Sequence, residues 1–189
     1  VLQRRSATRR CHLGLSEHDT TAHEETTRTT TACATTNATQ LPRRPEGPHV
    51  FRLSDHTGDF AIEAEAPTPE AALGELVRAL VVLILGEDEV LGADASRTLS
   101  LEGFDAEDLV VNFGNELLFL FETERFLPSS LIVDRLELGP PHARLEARLF
   151  GERLDRHRPL ARPAKAVTHH EATFDVSPER TRARLVIDL

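Results

Sequence analysis

Between Phe60 and Leu189 the apolar residues keep one period, drop it for a second, and return to the first. This switching limits the fold more than any other feature. Phe60-Ala-Ile-Glu-Ala-Glu-Ala66 alternates apolar and polar, which predicts a half-buried strand ending at Pro67. Leu73, Leu76, Val77, Leu80 and Ile84 then recur at three and four, the apolar stripe of a helix. Thr68 is suited to cap that helix, Pro69 to its first position and Glu70 to its positive end; Gly86 stops it. Thr98–Glu102 alternates again as a short strand. A second helix is predicted from Asp105 to about Phe121, with Leu109, Val110, Phe113, Leu117 and Leu118 on its apolar face. Gly114 inside it costs roughly 1 kcal/mol against Ala, so close packing or a bend is expected there. After Pro128 period two returns in Ser130–Leu138, Ala143–Phe150, Lys165–Val176 and Thr181–Leu189, with a polar loop over 151–163. The order is strand, helix, strand, helix, then a four-strand meander. That predicts an α+β fold, a mainly antiparallel sheet with two helices on one face.

Residues 1–46 cannot contribute to such a core. Positions 20–39 hold ten threonines and no helical or strand period. A segment this poor in bulky apolar residues does not bury enough area to offset its conformational entropy. It is expected to be a disordered Thr-rich extension or a translated upstream region, since the chain opens on Val1. No apolar run follows the arginine pairs before Cys11, as a secretory signal would require. The Pro- and Gly-rich stretch Pro42–Pro48 marks the boundary, which leaves 47–189 as the folded domain.

Charge and cysteine content narrow the function. The chain carries 31 acids against 22 bases, net -9. Residues 1–46 contain seven arginines and five acids, so the domain itself is more acidic than the whole. A basic protein that coats nucleic acid is excluded, because neutralising phosphates takes clustered Lys and Arg. No apolar run reaches membrane-spanning length; the longest candidate, Leu76–Leu85, contains Arg78. Cys11 and Cys33, the two cysteines, both precede residue 47. A cysteine-free domain fits a reducing compartment, and a cytoplasmic location is expected.

No phosphate loop, dinucleotide-binding glycine triplet, Gly-x-Ser-x-Gly or His-Glu-x-x-His occurs. Five polar clusters in apolar surroundings stand out instead. They are Asp55-His56-Thr57-Gly58-Asp59, Asn115-Glu116 inside the second helix, Gly151-Glu152-Arg153-Leu154-Asp155, Lys165-Ala-Val-Thr-His-His170, and the closing Val186-Ile187-Asp188-Leu189. Taken singly, each also reads as a turn, a solvated helix position or a strand end.

In this order the clusters resemble the archease family. The family pattern runs Asp/Glu-His-Thr-Ala-Asp, Asn-Glu-Leu-Leu, Gly-Glu-x-x-Asp, Lys-Ala-Val-Thr-Tyr-His and a closing apolar-apolar-Asp-Ile. Here Gly58 replaces the Ala, His169 replaces the aromatic, and the Arg156-His157 pair comes one residue early. The resemblance covers residues 47–189. It implies a non-enzymatic accessory protein that activates the GTP-dependent tRNA-splicing RNA ligase, promoting guanylylation of the ligase and its turnover. It also implies a divalent-metal site at Asp59, Asp188 and Leu189, with calcium the expected ion and magnesium the alternative. No catalytic residue is implied. His56, Glu116, Asp155, Lys165 and His170 become candidates for contact with the ligase, with Glu116 expected to pair with Lys165 or with a ligase base.

The residues agree with that metal set in kind. Leu189 has no ligating side chain, but as the last residue it offers an α-carboxylate beside Asp188. If the last strand lies beside the first, Asp59 reaches the same sheet end. Three such anions repel one another unless a cation neutralises them. An all-oxygen set suits calcium or magnesium and not zinc. The same carboxylates would serve a metal-dependent phosphoesterase, and the acidic surface a general chaperone; these remain the competing readings. The expected partner is the ligase, with no strong direct nucleic-acid binding and no membrane.

Overall fold

The structure, a computed structural model, describes residues 50–56 and 59–189, and of Asp55 and His56 the main chain alone. The predicted extension 1–46 lies outside the described residues. Nine elements follow one another: β1 (Val50–His56), β2 (Asp59–Ala66), α1 (Pro69–Leu85), β3 (Ala95–Gly103), α2 (Ala106–Glu124), β4 (Phe126–Glu137), β5 (Ala143–Arg153), β6 (Ala166–Val176) and β7 (Thr181–Asp188).

The helices start where their caps dictate. Thr68 Oγ1 accepts the Ala71 N–H at 3.2 Å, and Asp105 Oδ1 accepts the Asp108 N–H at 2.9 Å. Each satisfies one of the donors that a first helical turn leaves unpaired. α2 runs past Phe121 to Glu124, where Arg125 turns left-handed at φ 57° and its N–H returns to the Phe121 carbonyl at 2.9 Å.

The α+β class and the expected order hold, with β1 added ahead of them. The strands form two antiparallel sheets, β1-β2-β7-β6 and β3-β5-β4. The last four strands are therefore shared between sheets, β4 and β5 joining β3 while β6 and β7 join β2. The polar loop after β5 carries the chain from one sheet to the other, a step that period-two patterning does not encode. Both helices pack into one core. Phe113, Leu117, Leu76 and Ile84 from the helices meet Ile62, Ile187, Leu145 and Phe126 from both sheets, each at most 2 % exposed. Burying one such side chain stabilises by about 1.5–3 kcal/mol.

Gly114 shows why α2 needs a glycine. A Cβ there would sit 2.8 Å from Val167 Cγ2 and 3.2 Å from Leu185 Cδ1. The helix therefore lies almost against β6, and the close packing expected at Gly114 is present.

Candidate functional site

The site is built on the β2–β7 ladder. Phe60, Ile62 and Ala64 on β2, and Ile187, Leu185 and Ala183 on β7, enter the core. Alternation sends Asp59, Glu63 and Glu65, with Asp188, Arg184 and Arg182, to the opposite face. Two rungs of this outer face join opposite charges. Glu65 is paired across the strands with Arg182, which donates through Nε at 3.0 Å, and takes a second bond from Arg180 at 3.0 Å. These two guanidiniums hold the Glu65 carboxyl below its usual range. Glu63 is opposite Arg184 and bonded to it; Arg184 also reaches Glu171 at 2.8 Å.

The end rung breaks the rule. Asp59 and Asp188 are direct cross-strand partners, both half-buried. Among the described residues neither carboxylate takes a hydrogen bond or an ion pair. Like charges directly opposite on antiparallel strands destabilise the pair. The end of an otherwise charge-matched ladder thus sets two carboxylates opposite each other with no described cationic side chain bonded to either.

The same row continues across the sheet. His56 is the register partner of Asp59 on β1, and Ala166 is the partner of Asp188 on β6. The Lys165 N–H donates to the Asp188 carbonyl at 2.9 Å, and its ammonium bonds the Leu189 main-chain oxygen. The Leu189 side chain packs against the core. Asp59, Asp188, Leu189 and Lys165, four of the residues singled out from sequence, thus converge at one sheet end. Among the described residues no group of three or more His, Cys, Asp or Glu gathers as a metal cluster. The oxygens that the described residues bring to this end are two carboxylates and the Leu189 main-chain oxygen.

The expected pairing of Glu116 with Lys165 is not formed, because Lys165 is taken up by Leu189. The Glu116 carboxylate has no partner among the described residues. It lines an open groove of about 590 Å³ with Ser100, Leu101, Glu102, Asn112, Asn115 and Phe119. Its neighbour Asn115 does the work of attachment. Asn115 Nδ2 donates to the Val167 carbonyl, and Asn115 Oδ1 accepts the Val167 N–H, both at 2.9 Å. The Asn-Glu-Leu-Leu motif is thereby divided by role. Asn115 grips β6 two residues beyond Lys165, Glu116 faces the groove, and Leu117 and Leu118 fill the core.

Asp155 and His170 lie elsewhere. Asp155 Oδ1 accepts the His157 N–H at 2.7 Å and its carbonyl accepts the Arg158 N–H at 3.1 Å, a local turn after β5. Glu152 anchors the same loop, accepting from Gly92 N at 2.6 Å and Arg158 at 2.7 Å. Gly151 opens this segment because a Cβ would meet the Leu127 carbonyl at 2.0 Å. His170 is largely exposed on β6, within the register shift between Thr168 and Thr173, and its ring lies 3.6 Å from Glu171. Among the described residues, neither Asp155 nor His170 bonds a member of the Asp59–Asp188 row.

His169, a departure from the family aromatic, has its own partner. Its ring nitrogen lies 3.0 Å from Asp108 Oδ1 in the first turn of α2. The Phe104 N–H, foremost, and His169 hold the Asp108 carboxyl below its usual range. Sequence reasoning left the roles of Asn115, Glu152 and His169 unassigned. A polar residue at each motif position was the available signal.

Residues 51–189 match the model of the Archease protein family (MTH1598/TM1083). The chain is 27 % identical over 140 residues to a protein archease of Methanosarcina barkeri, covering 74 % of this chain and 95 % of the relative. It is 31 % identical over 140 residues to a protein archease of Pyrococcus abyssi, covering 71 % and 95 %. The solution structure of Methanobacterium thermoautotrophicum protein 1598 superposes with a TM-score of 0.63 at 23 % identity, covering 74 % of this chain and 98 % of that one. The last comparison establishes the fold.

Proposed function

The chain belongs to the archease family, and from that premise we propose that it is a non-catalytic activator of the GTP-dependent tRNA-splicing RNA ligase. It promotes guanylylation of the ligase and its turnover, and Asp59, Asp188 and the end of the chain at Leu189 are the residues that would hold a divalent cation, calcium or magnesium. The observation that carries this reading is the unpaired Asp59–Asp188 rung beside ion-paired ones. The donors are all oxygen, which matches a hard cation.

Bound there, the cation would supply positive charge to an anionic group of the ligase complex. The protein's own residues do the rest. Asp59 and Asp188 are set by strand register, so their spacing does not depend on a loop. Lys165 ties Leu189 to the start of β6. The net charge of -9 suits docking on a basic protein surface and opposes a direct grip on tRNA phosphates. Among the described residues no helix is long and apolar enough to cross a membrane.

The test mixes the chain with ligase, GTP and calcium or magnesium and follows the covalent ligase–guanylate adduct. Faster adduct formation, lost in Asp59→Asn and Asp188→Asn, supports the proposal. An adduct rate unchanged by the wild-type chain refutes it.

A further inference from the structure

Three of the four sheet edges, those of β6, β4 and β3, are not equally protected. The free edge of β6 is held by Asn115 at Val167 and broken by a register shift between Thr168 and Thr173. β4 carries Pro128 and two register shifts. Bulges, prolines and covering side chains are the usual devices that stop an edge from accepting another strand. β3 has none of them along its centre. It pairs with β5 without a shift from Ala95 to Gly103 and is the outer strand of its sheet.

Which β3 groups face outward follows from two side chains. Asn112 Nδ2 donates to the Glu102 carbonyl at 3.1 Å, and Arg97 Nη1 donates to the Ser96 carbonyl at 2.6 Å. Main-chain groups of alternate residues point the same way along a strand. Thr98 and Ser100, between these two, therefore turn their N–H and C=O groups away from β5, and no described residue takes them. The open groove with Glu116 runs beside this stretch.

The lining of the groove defines what fits. Phe119, 55 % exposed, and the half-buried Leu101 give it an apolar wall. Glu102 and Glu116 give it negative charge with no cation to match among the described residues. Arg144, the cross-strand partner of Glu102, is bonded to Glu146 instead.

We infer that β3 and the α2 groove take an extended, arginine- or lysine-bearing segment of a partner protein, which adds to β3 as a fourth strand. Main-chain bonds to Thr98 and Ser100 give affinity, and side chains entering the groove between Glu102, Glu116 and Phe119 give specificity. Resting on the function proposed above, the partner is the RNA ligase. This surface is separate from the Asp59–Asp188 row, so one end of the protein carries the cation and another secures the complex.

The test uses the full chain and the purified ligase. Hydrogen exchange of the Thr98 and Ser100 amides is followed with and without saturating ligase. Ser100→Pro removes an outward donor and leaves the β5-facing bonds of Leu99 and Leu101 in place. The double variant Glu102→Lys, Glu116→Lys reverses the groove charge without touching the main chain. Expected results are slowed exchange at both amides in the wild type. Each variant, with unfolding close to wild type, should need at least about ten-fold more protein for half-maximal ligase binding. Unchanged exchange together with wild-type binding by the charge-reversed variant overturns the inference. Asp188→Asn separates the two proposals: with saturating ligase it should still show slowed exchange at the Thr98 and Ser100 amides while failing to activate the ligase. A wild-type chain that does not bind ligase at all overturns both.

Discussion

Asn115 and Val167, 52 residues apart in sequence, exchange two hydrogen bonds of 2.9 Å. One amide side chain thus satisfies the main-chain donor and acceptor that β6 turns away from β7. It also places α2 against the strand that begins beside Lys165 and Asp188. Gly114 supplies the clearance.

Replacing Asn115 with Ala should leave both Val167 groups without their protein partner. Net hydrogen bonds contribute about 0.5–1.5 kcal/mol each, so the loss should be about 1–3 kcal/mol. Urea unfolding measures it. Asn115→Asp keeps the acceptor and loses the donor, so it should fall between wild type and Ala. Equal stability of all three proteins would show that water replaces the clamp.

The Asp59–Asp188 rung predicts a change of sign with metal. Without divalent cations Asp188→Asn should be slightly more stable than wild type, by about 0.2–1 kcal/mol, since a cross-strand repulsion is removed. With calcium the order should reverse. A ligand at 100 times its Kd stabilises by about 2.7 kcal/mol, and the variant should gain little of this. Thermal melts in chelator and in calcium check both halves. A wild-type melting curve unmoved by calcium and magnesium would remove the cation from this rung.

The His169–Asp108 contact predicts a pH dependence. Asp108 has a depressed carboxyl pKa, chiefly through the Phe104 N–H and then His169. A group of this kind contributes stability above its unfolded pKa, about 3.9, and loses it as pH falls through the lower folded value. The stability gap between wild type and Asp108→Ala should therefore be widest near neutrality and should close as pH drops below about 4. Melting temperatures of the two proteins between pH 7 and pH 2.5 provide the comparison. A gap that stays constant would show that neither the Phe104 N–H nor His169 favours the ionised Asp108 carboxyl in the folded protein.

Much of the fold was legible because burial imposes a period. Thr68, Pro69 and Gly86 bound α1 as read, and Leu117, Leu118 and Phe113 face the core as their spacing requires. Strand pairing was less legible, since alternation reports which face is buried and not which strand lies alongside. The division into two sheets and the addition of β1 belong to that gap. The candidate site shows the same limit. Asp59 and Asp188 could be named from motifs, but their opposition depends on β2 lying beside β7. Asn115 with Val167 and His169 with Asp108 are contacts between distant segments. Each uses a polar residue whose spacing carries no trace of its partner.

The last prediction concerns Leu189. Its main-chain oxygen lies beside the Asp59–Asp188 row and is bonded by the Lys165 ammonium. In a protein made to end at this residue, that position carries an α-carboxylate. Adding a tag after Leu189 replaces the anion with a neutral peptide group, while Asp59, Asp188 and the core stay as they were. If the terminus is a ligand, the tagged protein should bind calcium at least about ten-fold more weakly, since roughly 1.4 kcal/mol of charge attraction corresponds to that factor. Its unfolding in chelator should be unchanged, because Leu189 still packs against the core through its side chain. Lys165→Met gives the opposite change, removing a cation that competes for the same oxygen, and should strengthen calcium binding in the untagged protein. Calorimetric titration of the three proteins decides the matter. Equal affinity in tagged and untagged forms would leave Asp59 and Asp188 as the anions at the site among the described residues.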